Sequence, residues 1–227
     1  MKKLLSVIIV STCLTTCLTT TAFAANMPRS ITSTTQGQAC TQMLSLASVG
    51  RSYILARYLT PTEFVVRVGM EWDVFNPLSD AEKVAMLTAL ACSTTGYLDN
   101  GLSMGIQSPG GAPIGQFSNG QITTHPTSGF SGVSTTTSVT RSQTCFAMLG
   151  LANKNNNGLI ARSFNSFAGY VAVVTENWVA RLTNEQKIAT LLTLGCGATG
   201  GAGLTMLVQD SAGNTIGRLV AGQLEIY

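Results

Sequence analysis

The chain contains its own alignment, because residues 38–122 recur in diverged form at 143–224. Residues 38–47 read QACTQMLSLA and residues 143–152 read QTCFAMLGLA. An offset of 105 pairs Arg57 with Arg162 and Glu71 with Glu176. It becomes 104 where Lys83, Leu87, Leu90 and Cys92 meet Lys187, Leu191, Leu194 and Cys196. It becomes 102 where Ile114-Gly115 and Gly120-Gln121 meet Ile216-Gly217 and Gly222-Gln223. Two copies at so long a period point to a duplicated domain, since a solenoid needs several short repeats. Positions kept by both copies report what the fold requires.

The first 24 residues read as an export signal. Lys2 and Lys3 precede an apolar run from Leu4 to Val10, and Ala22-Phe23-Ala24 supplies a small-x-small cleavage site. Cys13 and Cys17 invite a lipoprotein reading, but each is preceded by threonine where a small Gly, Ala or Ser is wanted. A freely exported protein, periplasmic or extracellular, is therefore expected. No later segment carries the roughly 18 unbroken apolar residues of a transmembrane helix.

Leaving residues 1–24 aside removes two lysines from the 13 basic residues, so 11 face 10 acidic ones. That near-balance offers no cationic face to nucleic acid. Charged residues make up 10% of the chain and hydrophobic ones 45%, the composition of a globular protein with a Ser/Thr/Asn/Gln surface.

Of six cysteines, four lie beyond the signal, at matching places in the copies. Four cysteines allow three pairings, and duplication selects Cys40–Cys92 with Cys145–Cys196, closing each copy on itself. No Cys-x-x-Cys occurs after the signal, and the one histidine, His125, lies between the copies. A metal site or cofactor is accordingly not expected.

Helical spacing of Met43, Leu44 and Ala47 behind Cys40, repeated by Met148, Leu149 and Ala152 behind Cys145, predicts a first helix in each copy. A second apolar segment surrounds Ala56-Arg57. A third runs from about Thr62 to Phe75; although Val-rich, as a strand would be, it is long enough to be read as a buried helix. Ser79-Asp80-Ala81-Glu82 and Thr183-Asn184-Glu185-Gln186 have the spacing of capping boxes. They predict a helix in each copy that carries the second cysteine and ends near Gly96 or Gly200. Leu102–Gln107 with Ala112–Phe117, and Leu204–Gln209 with Thr215–Val220, flank turn-forming residues and predict one β-hairpin per copy.

The expected fold is thus α+β: two tandem homologous domains, each a small helical bundle followed by a β-hairpin and closed by one disulfide. The expected divisions are a signal (1–24), an N-terminal segment (25–37), a first repeat domain (38–122), a Thr/Ser/Gly-rich linker (123–142) and a second repeat domain (143–227).

Catalytic chemistry has few candidates. His125 stands in the linker beside Pro126, away from any rigid neighbour that could orient it as a base. His-Glu-x-x-His and the Gly-x-x-x-x-Gly-Lys-Ser/Thr phosphate loop are absent from the sequence. Arg57, Glu71, Arg162 and Glu176 recur in a chain sparing with charge. They read as structural ion pairs, Arg57–Glu71 and Arg162–Glu176. The rival reading makes Glu71 and Glu176 the acid and base of an envelope hydrolase acting on cell-wall glycan. Trp72 and Trp178 beside them could stack on sugar, yet at that spacing read as core. The favoured expectation is non-catalytic: an exported envelope or secreted protein that binds a protein partner or assembles with itself, duplicated modules raising avidity.

Overall fold

The computed structural model describes residues 30–51, 53–59, 64–68, 78–96, 102–125, 135–167, 169–201 and 204–227. The expected signal and the segment around Glu71 and Trp72 lie outside these residues. Among them, the helices are α1 (Gln36–Ala47), α2 (Asp80–Thr95), α3 (Arg141–Asn155), α4 (Glu176–Arg181) and α5 (Asn184–Thr199). The strands of the first half and the linker are β1 (Ser30–Ser33), β2 (Ile54–Leu59), β3 (Phe64–Val68), β4 (Met104–Gln107), β5 (Pro113–Ser118), β6 (Gln121–Thr124) and β7 (Thr135–Ser138). Those of the second half are β8 (Ile160–Ser166), β9 (Gly169–Val174), β10 (Met206–Gln209), β11 (Thr215–Val220) and β12 (Gln223–Ile226).

The architecture is mixed α/β, with two six-stranded sheets ordered β2-β3-β4-β5-β6-β7 and β1-β12-β11-β10-β9-β8. In each sheet one pair is parallel, β3 with β4 and β9 with β10. Parallel neighbours need a long crossover, which α2 provides in the first sheet and α4 with α5 in the second. All other neighbours are antiparallel.

All four long helices begin with a complete capping box. The expected Ser79/Glu82 and Thr183/Gln186 boxes start α2 and α5, and Thr35/Gln38 and Thr140/Gln143 start α1 and α3. Gly96 and Gly200 end α2 and α5 in the left-handed conformation, as their positions predict. Cys40–Cys92 joins α1 to α2 and Cys145–Cys196 joins α3 to α5, each with Cα atoms 5.9 Å apart. The duplication-based pairing is the one found.

Two expectations about secondary structure are corrected. The Val-rich third segment is a strand where the structure describes it, β3 in the first half and β9 in the second, hairpinned to β2 and β8. Val65 and Val66 are both buried, as is every residue from Val171 to Val174. A strand covered on both faces loses its period-two signature and reads as an unbroken apolar run. The linker is corrected too, since its residues 135–138 form β7, paired with β6. Threonine suits a pleated edge with one wet face, and Thr123 and Thr136 share a 3.0 Å hydroxyl hydrogen bond across the two strands.

The halves share one core in place of two autonomous ones. A single cluster of buried residues runs from Met43 and Leu87 of the first half to Met148 and Leu191 of the second. α1 packs on α3 and α5 as well as on α2. Asn155 and Asn156, which end α3 and its cap, donate side-chain N–H groups to the carbonyls of Ala47 and Leu46 at the end of α1.

The retained Gly115 and Gly217 mark where neighbouring strands come closest. A Cβ at Gly115 would stand 2.5 Å from the Thr123 carbonyl oxygen, and one at Gly217 2.5 Å from that of Glu225. Backbone cannot swing aside as a side chain can. Gly217→Ala is therefore expected to cost about 1–3 kcal/mol. Urea unfolding checks it: the midpoint should fall with no change in slope.

Candidate functional site

Among the described residues, Arg57, Arg162 and Glu176 do not converge on a site. Arg57, on β2, is exposed and donates to Ser93 Oγ at 3.5 Å; its expected partner Glu71 lies outside the described residues. Arg162, on β8, is exposed, with its guanidinium carbon 5.7 Å from the centroid of the Phe164 ring. Glu176 is the exposed first residue of α4. The expected Arg162–Glu176 ion pair is not formed. Glu176 instead sits in the first turn of a helix, where unpaired backbone N–H groups favour a carboxylate. The ion pairs described lie elsewhere, Lys83 with Asp80 at 3.7 Å and Arg218 with Glu225 across β11 and β12.

Trp178 is core, 1% exposed, with Lys187 Nζ 5.4 Å from its ring centroid. Burial of Lys187 pushes its pKa below the ordinary lysine value. His125 follows β6, and its backbone N–H donates to the Ile114 carbonyl. Among the described residues no cluster of three or more His, Cys, Asp or Glu side chains could hold a metal ion, and no helix is long and apolar enough to cross a membrane.

Two other features emerge from the tertiary structure. The first is a reciprocal crossing of strands. β1 leads directly into α1 of the first half, yet pairs with β12, Ser30 opposite Ile226 and Ser33 opposite Gln223. β7 leads into α3 of the second half, yet pairs with β6. The matching side-chain contacts cross as well. Asn184 Nδ2 of α5 donates to Thr32 Oγ1 of β1 at 3.2 Å, and Thr137 Oγ1 of β7 donates to Asp80 Oδ2 of α2 at 2.8 Å. Thr32 and Thr137 occupy equivalent positions in the duplication, as do Asp80 and Asn184. Each half's sheet is therefore completed by the strand that opens the other half.

The second feature is a cavity of about 410 Å³ between the helices. α1 contributes Cys40 and Met43, and α3 the equivalent Cys145 and Met148; α2 and α5 complete the walls. Nothing in one dimension announces this cavity, because its lining comes from four helices. The helix starts at its edge were missed in the sequence; the Thr-x-x-Gln capping pattern at Thr35 and Thr140 is the signal that would have placed them.

The two disulfides are consistent with an exported protein. The chain matches no protein-family model, no curated protein and no solved structure.

Proposed function

We propose that the protein is an exported, non-catalytic envelope or secreted protein, built by duplication of one unit, that assembles with itself by exchanging its first strand. The crossing of β1 and β7 carries this reading. A strand that already completes the opposite half of its own molecule can complete the same half of another through the same hydrogen bonds. Release of β1 is cheap, since it is four residues long and its Ile31 side chain is 61% exposed. β12 would then present an open edge able to accept a strand from a second molecule or from a protein partner. Passing β1 onward in one direction gives a head-to-tail chain of molecules. Export to an oxidising compartment fits the two bridges.

Cysteines introduced at Ser33 and Gln223 test the exchange, since these exposed residues face one another across β1 and β12. Oxidation of the double variant at rising protein concentration is expected to give a ladder of disulfide-linked oligomers on a non-reducing gel. A monomeric product at every concentration rejects strand exchange between molecules. A hydrolase built on Glu71 and Glu176 would displace this reading if the protein turned over peptidoglycan and Glu176→Gln abolished the turnover.

A further inference from the structure

The cavity between the helices has a chemistry that the strand exchange does not use. We propose that it binds an uncharged single-chain amphiphile whose head donates a hydrogen bond, of the class of medium-chain alcohols. Its volume of about 410 Å³ falls in the range of sites that enclose small organic ligands. Met43, Met148, Ala85 and Leu192 supply apolar wall, and methionine adapts its shape to a flexible chain. Thr88 adds to that wall, because its Oγ1 is buried and the surface it leaves to the cavity is hydrocarbon. Such walls favour a hydrocarbon chain and penalise a charge that would lose its water there.

The hydrogen-bonding sense of the head follows from two threonines. Thr144 Oγ1 donates to the Thr140 carbonyl at 3.0 Å, and Thr193 Oγ1 donates to the Ala189 carbonyl at 2.8 Å. A hydroxyl has one proton to give and two lone pairs to accept with. With the proton held by the helix, each of these oxygens has only lone pairs to offer the cavity that its residue lines. An alcohol O–H matches such an acceptor, whereas an ether or carboxylate oxygen meets it lone pair to lone pair. Arg141 also lines the cavity, but it has an interaction partner of its own, and the selection does not draw on its charge.

The internal repeat shows where this selectivity arose. Cys40 and Met43 keep their counterparts Cys145 and Met148, so both copies build the same frame. At the two hydroxyl positions the copies differ, Ala39 standing against Thr144 and Ala89 against Thr193. All four residues line the cavity, so α1 and α2 give a methyl group where α3 and α5 give an acceptor. A cavity between like halves has thereby become chemically lopsided, as a ligand with a head and a tail requires.

Titration calorimetry of the disulfide-intact protein with octanol tests the assignment. Two probes accompany it: heptyl methyl ether, an isomer that keeps the oxygen but lacks the O–H, and octanoate, which adds a charge. Saturable one-to-one binding of octanol is expected, about threefold to tenfold tighter than that of either probe, the worth of one neutral hydrogen bond. The methyl resonances of Met43 and Met148 should shift along the same titration, which places the ligand in the cavity. Thr144→Ala combined with Thr193→Ala installs the residues of the matching positions and is expected to bring octanol down to the affinity of the ether while sparing the ether. Ala89→Phe, which fills the cavity, should abolish binding of both. Should that variant fail to fold, the threonine variant and the methionine resonances decide the matter. No saturable binding of octanol, unmoved methionine resonances, equal affinity for the ether or octanoate, or undiminished octanol binding by the threonine variant would each overturn the proposal.

Discussion

Replacing Cys145 and Cys196 together by alanine is expected to lower the unfolding free energy by about 2–5 kcal/mol. The bond closes a loop with a sequence separation of 51, and the chain-entropy account assigns a bridge of that span about 4 kcal/mol. Both sulfurs lie inside the protein, at residues 6% and 4% exposed, so their loss also thins the wall of the helix cavity. The shape of the transition is as informative as its midpoint. Two autonomous domains would unfold in two steps once only one was weakened. A shared core predicts a single cooperative transition at lower denaturant, with fluorescence and circular dichroism coinciding. Two resolved transitions would show that the packing of α1 on α3 and α5 contributes little coupling.

Trp178→Ala is expected to cost about 3–5 kcal/mol, the range for truncating a large buried aromatic. The indole is buried in the core and belongs to the short helix α4. Lys187 lies over its ring, so truncation also removes a cation–π contact and opens the ammonium to water. Trp178→Phe should cost distinctly less. The buried Nε1–H has no hydrogen-bond partner among the described residues, so losing it removes a desolvated donor and no bond. Urea melts of the two variants beside the parent check both values. A cost for Trp178→Phe equal to that of Trp178→Ala would show that the N–H is satisfied in solution, by water or by a ligand.

Local chemistry was legible wherever it is written in neighbouring residues. The boxes at Ser79 and Thr183, the glycine ends of α2 and α5, and the hairpins β4–β5 and β10–β11 all stand where the residue pattern puts them. So does the burial of Trp178. What failed was the period of the third segment. Val171 to Val174 are all buried, so alternation of apolar and polar residues, the ordinary mark of a strand, had nothing to alternate with. The ion-pair reading of Arg162 and Glu176 failed for another reason. Equal spacing in two copies shows that both residues are kept, but distance along the chain does not say whether a helix start will hold the carboxylate.

The sequence by itself determined the internal repeat, the disulfide pairing that follows from it and the capped starts and glycine ends of α2 and α5, because each depends on residue identity at short or repeated spacing. Only the tertiary structure decided how the two halves meet. Whether β1 completes its own half or the other depends on the packing of strands from opposite ends of the chain, Ser30–Ser33 beside Gln223–Ile226. The cavity likewise exists only once four helices stand around it, and its lopsided lining comes from positions at which the copies differ. Residues kept in both copies hold the frame through short-range constraints. The strand crossing and the cavity arise from contacts between distant segments, which no local pattern encodes.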